Sequence, residues 1–113
     1  MASYCPRRGD IVWLTFDPQT GHEQAGHRPA LVLSPEAYNQ KTGLAIFCPV
    51  SSREKGYPFE VRIPKGLKVS GVILSDHLKN LDWKARRAKF CCDLPRGALS
   101  DVMGKLSTLL LVE

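Results

Sequence analysis

Until Pro95 the chain alternates short apolar runs with polar breaks that carry glycine or proline, and only then adopts a longer, helix-like period. Residues 10–16, Asp-Ile-Val-Trp-Leu-Thr-Phe, are rich in β-branched and aromatic side chains and follow the turn-forming Arg8-Gly9, which predicts a first strand. Asp17-Pro18-Gln19-Thr20-Gly21 breaks it. After a polar stretch over 21–29, the unbroken run Ala30-Leu31-Val32-Leu33 predicts a short strand buried on both faces, with Pro29 suited to its start because it has no N–H for a ladder. Ser34 and Pro35 read as the cap and first position of a helix of one or two turns that ends at Lys41-Thr42-Gly43. Residues 44–50 predict a third strand, in which Pro49 calls for an edge or a bulge.

A polar, basic loop follows over 51–56, and then Phe59-Glu60-Val61-Arg62-Ile63 alternates apolar and charged positions as a half-buried strand does. Residues 64–68 turn the chain. The short apolar run 71–74 leads into Ser75-Asp76-His77, extended chain continues over 78–83, and 86–92 reads as the last strand. Beyond Pro95, Leu99, Val102, Met103, Leu106, Leu109 and Leu110 fall on one face of an amphipathic helix that closes one side of the core. The pattern predicts a mainly β domain over residues 1–113. It is a small antiparallel barrel or sandwich with a short inserted helix and a C-terminal amphipathic helix.

Composition sharpens this picture at three points. At 113 residues one compact core suffices, burying roughly two thirds of the unfolded chain's surface. Sixteen Lys and Arg against eleven Asp and Glu give a net charge of +5 and a pI near 9.2, which favours a polyanionic partner without identifying one. The four cysteines, Cys5, Cys48, Cys91 and Cys92, form no Cys-x-x-Cys pair and read as free thiols in a reducing cytoplasm; a zinc site with His22 or His27 lacks paired ligand spacing. The opening residues are polar and no apolar run reaches membrane-spanning length, so a cytoplasmic, soluble protein is expected.

Chemistry concentrates in His22-Glu23-Gln24-Ala25-Gly26-His27-Arg28-Pro29. Metal-free cleavage of RNA needs a base for the 2′ hydroxyl, a cation for the crowded phosphorus and an acid for the departing 5′ oxygen. Glu23, Arg28 and the two histidines supply all three types. Arg28 is the first candidate, because guanidinium grips phosphate oxygens in a fork and keeps its charge; its rival reading is a structural ion pair. Glu23 reads either as a base or as a solvated loop glutamate, and His22 and His27 as proton relays or plain surface residues. Ser51, Ser52 and Lys55 are placed to bind phosphate from a second loop. Asp76 and His77 form a third polar cluster, with a turn-capping aspartate as the plain alternative.

The blocks Arg8-Gly9-Asp10-Ile11-Val12-Trp13, residues 21–35, Tyr38-Asn39-Gln40-Lys41-Thr42-Gly43, Lys55-Gly56-Tyr57-Pro58-Phe59-Glu60-Val61, Ser75-Asp76-His77-Leu78-Lys79 and Trp83-Lys84-Ala85-Arg86 resemble, in order, the MazF/PemK family of toxin endoribonucleases. The resemblance implies an SH3-like barrel with a C-terminal helix and a homodimer whose groove binds single-stranded RNA. It implies metal-independent, sequence-selective cleavage to a 2′,3′-cyclic phosphate and a 5′ hydroxyl, with no cofactor, and inhibition by a MazE-like antitoxin with an acidic tail. Glu23 and Arg28 fall on the family's catalytic glutamate and arginine, and Ser51 where relatives carry an assisting threonine. His22, Gln24, His27, Ser52, Lys55, Asp76, His77, Lys79 and Arg86 are then expected to contact RNA. At Leu74 the plasmid-borne branch carries an arginine used in cleavage, and its absence here places more weight on Arg28. The competing class is a non-catalytic nucleic-acid binder or gyrase-poisoning module on the same barrel. Against the latter, the chain ends in Leu110-Leu111-Val112-Glu113 rather than in an aromatic-containing tail.

Overall fold

The structure is a computed structural model that describes residues 4–15 and 27–111. In chain order the elements are β1 (Asp10–Thr15), β2 (His27–Val32), α1 (Glu36–Thr42), β3 (Leu44–Ser51), β4 (Glu60–Arg62), β5 (Val72–Leu74), β6 (Lys79–Asp82), β7 (Lys89–Asp93) and α2 (Arg96–Leu110). All pairings are antiparallel, in the order β4-β5-β3-β2-β1-β7, with β6 also pairing with β3. The mainly β class with one short inserted helix and one C-terminal helix is therefore as the residue pattern predicts.

Period-two alternation divides the apolar side chains between two cores. Ile11, Leu31, Cys48 and Ile73 pack on one face beneath Ala98, Val102 and Leu106 of α2. Val12, Leu14, Val32, Phe47 and Trp83 pack on the other. Ala30, Leu31, Val32 and Leu33 are all buried, which is why that run shows no alternation in composition. Leu109 and Leu110 depart from the expected helix face: they are 52% and 61% exposed, because the buried stripe of α2 ends at Leu106 and the last turn stands clear of the core.

Four local expectations change. Strand β2 begins at His27 rather than Ala30, since Thr15 and Leu14 of β1 pair with His27 and Arg28. Ser34 does not cap α1; Pro35 occupies the cap position, and the buried Ser34 hydroxyl instead bonds Asn39 Oδ1 at 2.5 Å and accepts the Ile46 N–H at 2.8 Å. Strand β3 is central, not an edge. Pro49 is tolerated in it because it lies between the stretch paired with β6 (44–47) and the stretch paired with β5 (50–51). Strand β7 starts at Lys89, since residues 83–87 turn, with Arg87 at φ 56° and the Ala88 N–H donating to the Trp83 carbonyl at 2.9 Å.

Candidate active site

The β1–β2 register sets Arg28 opposite Leu14, near the start of a strand whose later residues are locked between two cores, so the guanidinium projects from a rigid base. Strand β3 brings Ser51 to the same side by pairing Ala30 with Pro49 and, at its far end, Ser51 with Val72 of β5. Gly71 fixes that approach. It has φ 119°, and a Cβ there would overlap the Ser51 carbonyl oxygen, so only glycine lets the segment before β5 lie against Ser51. Beyond Ser51 the chain bends, with the Arg53 N–H donating to Ser51 Oγ at 3.1 Å.

These elements enclose an open pocket of about 430 Å³. Arg28 and Arg53 supply its charge, and Ser51, Ser52 and Ser70 its hydroxyls. Its apolar wall is Pro29, Pro49, Val50 and Leu74. Two guanidinium groups among three hydroxyls, with no carboxylate among the described lining residues, make a site for an anion with several oxygens, such as a phosphodiester. Leu74, the position without a cation, lies in this pocket; Arg53 brings a second positive charge to it.

A row of depressions leads away from the pocket. Pro49 also lines a small cavity with Ala30, Phe47, Lys79 and Leu81, and Leu81 in turn lines a recess of about 380 Å³ with Thr15, Asn80, Asp82, Ala85 and Arg86. Arg86 Nη1 reaches the Thr15 carbonyl at 3.4 Å. Lys79 and Arg86 thus line depressions linked to that of Arg28 and Ser51 through Pro49 and Leu81.

The remaining expected residues are placed less centrally. Lys55 is exposed, and its N–H and that of Gly56 are held by the Glu60 carboxylate at 2.9–3.2 Å. Asp76 and His77 form an exposed pair at 3.7 Å in the turn after β5 and do not line the pocket. His27 is exposed at the start of β2. His22, Glu23 and Gln24 lie outside the described residues, in the segment that joins Thr15 to His27. Among the described residues no three of His, Cys, Asp and Glu converge as metal ligands would. All four cysteines are free, and burial, with a smaller push from the Asp76 carboxylate, raises the Cys48 thiol to about 12.

Arg53 and Ser70 line the pocket without being among the candidates that the sequence supplies. Arg53 carried a signal, since it is the cation two residues beyond Ser51; Ser70 carried none, because only the sheet brings it to β3.

The model of the PemK-like, MazF-like toxin of type II toxin-antitoxin system matches residues 7–110. The chain belongs to this family. Among PemK-like and MazF-like proteins, it is 50% identical over 88 residues to the endoribonuclease toxin MazF of Escherichia coli strain K12, covering 78% of each chain. It is 36% identical over 108 residues to the endoribonuclease PemK of Escherichia coli, covering 91% of this chain and 80% of that one. A crystal structure of MazE–MazF from Deinococcus radiodurans superposes with a TM-score of 0.90 at 58% identity, covering 96% of this chain and 97% of the other.

Proposed function

We infer that this PemK/MazF-family chain is an endoribonuclease toxin that cuts single-stranded RNA at the pocket between Arg28 and Ser51. The observation that carries the reading is that pocket: a strand-held guanidinium, a second arginine and three hydroxyls face one cavity, on a chain half identical to an endoribonuclease toxin.

The chemistry follows from what those groups do to a phosphodiester. Glu23 takes the proton of the 2′ hydroxyl, the 2′ oxygen forms a bond to phosphorus, and the bond from phosphorus to the 5′ oxygen breaks. One of the imidazoles of the same stretch, His22 or His27, returns a proton to the departing oxygen. The products are a 2′,3′-cyclic phosphate and a 5′ hydroxyl. Arg28 stabilises the added charge on the phosphorane, and Ser51 orients a non-bridging oxygen. No metal takes part in these steps. Gln24, His27, Ser52, Lys55, Lys79 and Arg86 hold the RNA on either side, and Asp76 with His77 shapes the turn after β5. Two copies of the chain share one groove. A MazE-like antitoxin with an acidic tail blocks it, since carboxylates complement Arg28 and Arg53 as phosphates do. Such a protein acts on messenger RNA in the cytoplasm.

The test is cleavage of a long single-stranded RNA in EDTA with 5′ ends mapped. Discrete cuts leaving 5′ hydroxyls are expected, and Arg28→Ala should slow them about 100- to 1,000-fold while the fold and oligomeric state persist. RNA left whole by the folded wild-type protein overturns the reading, and cutting restored only by added magnesium overturns its metal-free part.

A further inference from the structure

One group on the loop that leaves Ser51 has no part in that chemistry. Tyr57 is 62% exposed, yet the loop that carries it is tightly built. The Glu60 carboxylate accepts the N–H groups of Lys55 and Gly56, the Glu60 N–H donates to the Tyr57 carbonyl at 3.1 Å, and Arg62 Nε bonds Glu54 at 2.9 Å. Backbone and side-chain bonds thus converge to hold the loop in one shape while its largest apolar side chain faces water, the reverse of what packing alone would select. Both ends of the loop are anchored at the pocket: it leaves from Ser51 and returns at Glu60, whose register partner is Leu74, and both Ser51 and Leu74 line the cavity. The Lys55 ammonium stands 5.9 Å from the Tyr57 ring centre, and Arg53 lies between the ring and Ser51 in sequence.

An exposed ring on a hydrogen-bonded loop, with a lysine ammonium over it and with an arginine of the same loop lining the phosphate pocket, offers what holds single-stranded nucleic acid: bases stack on the ring and the cations meet the backbone. We propose that Tyr57 is a stacking platform for a nucleobase of the RNA next to the scissile phosphate, with Arg53 and Lys55 holding the phosphates that flank that base. The proposal rests on the endoribonuclease reading and adds to it a subsite away from the reacting atoms. The charge around the ring selects a polyanion over an apolar partner. Stacking tolerates every base, so the subsite contributes grip rather than sequence choice.

The test uses full-length protein and a fluorescein-labelled, fully 2′-O-methylated mixed-sequence single strand, which binds but cannot be cut. Tyr57→Ala should weaken binding about 5- to 150-fold without changing the slope of affinity against salt, and Tyr57→Phe should bind as the wild type does. Arg53→Gln should reduce that slope by about 0.7, the value for one lost phosphate contact on a single strand. Because Tyr57 is exposed, thermal melts of all variants should match the wild type. Unchanged affinity in Tyr57→Ala overturns the proposal, as does Tyr57→Phe binding as weakly as Tyr57→Ala. A Tyr57→Ala protein that sediments differently and loses affinity only for that reason overturns it too, by making the ring a contact between copies. Tyr57-dependent binding by a wild-type protein that leaves native RNA uncut would keep the subsite and remove the catalytic reading.

Discussion

At the scale of single residues, the groups that titrate abnormally serve the fold. Asp10 accepts hydrogen bonds from the Tyr4 hydroxyl and the Arg7 N–H, and burial holds its carboxyl above the ordinary range despite both. An acid whose folded pKa is raised binds its proton more tightly in the native state. Its contribution to stability is therefore complete below the unfolded value of about 3.9 and is lost as pH climbs through the raised folded value. Asn at this position can accept the same two bonds without a charge. Asp10→Asn should thus gain stability relative to the wild type as pH rises from 3 to 7, read from urea midpoints; a pH-independent difference would contradict this. Cys48, fully buried and titrating near 12, should resist alkylation at pH 8 while the partly exposed Cys92 reacts, as mass spectrometry would show. Equal labelling of both in the folded protein would count against the assigned burial.

At the scale of elements, the decisive contacts are those that tie the short helix α1 to the segments around it and the segment before β5 to β3. Asn39 of α1 donates to the Pro6 carbonyl at 2.8 Å and the Ser34 carbonyl at 3.1 Å, and its own carbonyl accepts Trp83 Nε1 at 2.9 Å. Asn39→Ala leaves buried carbonyls unpaired and should cost about 2–4 kcal/mol, measured by denaturant unfolding. Gly71→Ala should do something different. It forces Ser51 and β5 apart, at about 1–3 kcal/mol of strain, and should lower cleavage far more than that loss of stability explains. Full activity in Gly71→Ala would mean that Ser51 needs no such placement.

Strands and most of α2 were legible from periodicity because their apolar faces pack on the two cores, the last turn of α2 with Leu109 and Leu110 excepted. Ser34 misled because its side chain looks like a cap but has a better, buried partner in Asn39, which only the tertiary fold supplies. The candidate site was half legible: Arg28, Ser51 and the position of Leu74 could be named from chemistry and resemblance, whereas Ser70 joins the pocket only through the approach of the segment before β5 to β3. Asp76 and His77 are equally polar in sequence, and in the fold they form an exposed pair in the turn after β5, apart from the residues that line the pocket.

At the scale of the whole molecule, a net charge of +5 is distributed so that Arg28, Arg53, Lys79 and Arg86 line one row of depressions. Affinity for single-stranded RNA should therefore fall steeply with salt, roughly as the 0.7 power per phosphate contacted, and a flat response between 50 and 200 mM would contradict a basic track. Among the described residues no helix is long and apolar enough to cross a membrane. The dependence of Ser51 on Gly71 also joins the pocket to the core. The pocket needs Arg28 from β2, Ser51 from β3 and the glycine before β5, and the core beneath these strands needs Val102 and Leu106 of α2. Segments far apart along the chain must therefore all be in place before the pocket has its shape, so the pocket and the core should be lost together in one cooperative transition rather than in separate steps.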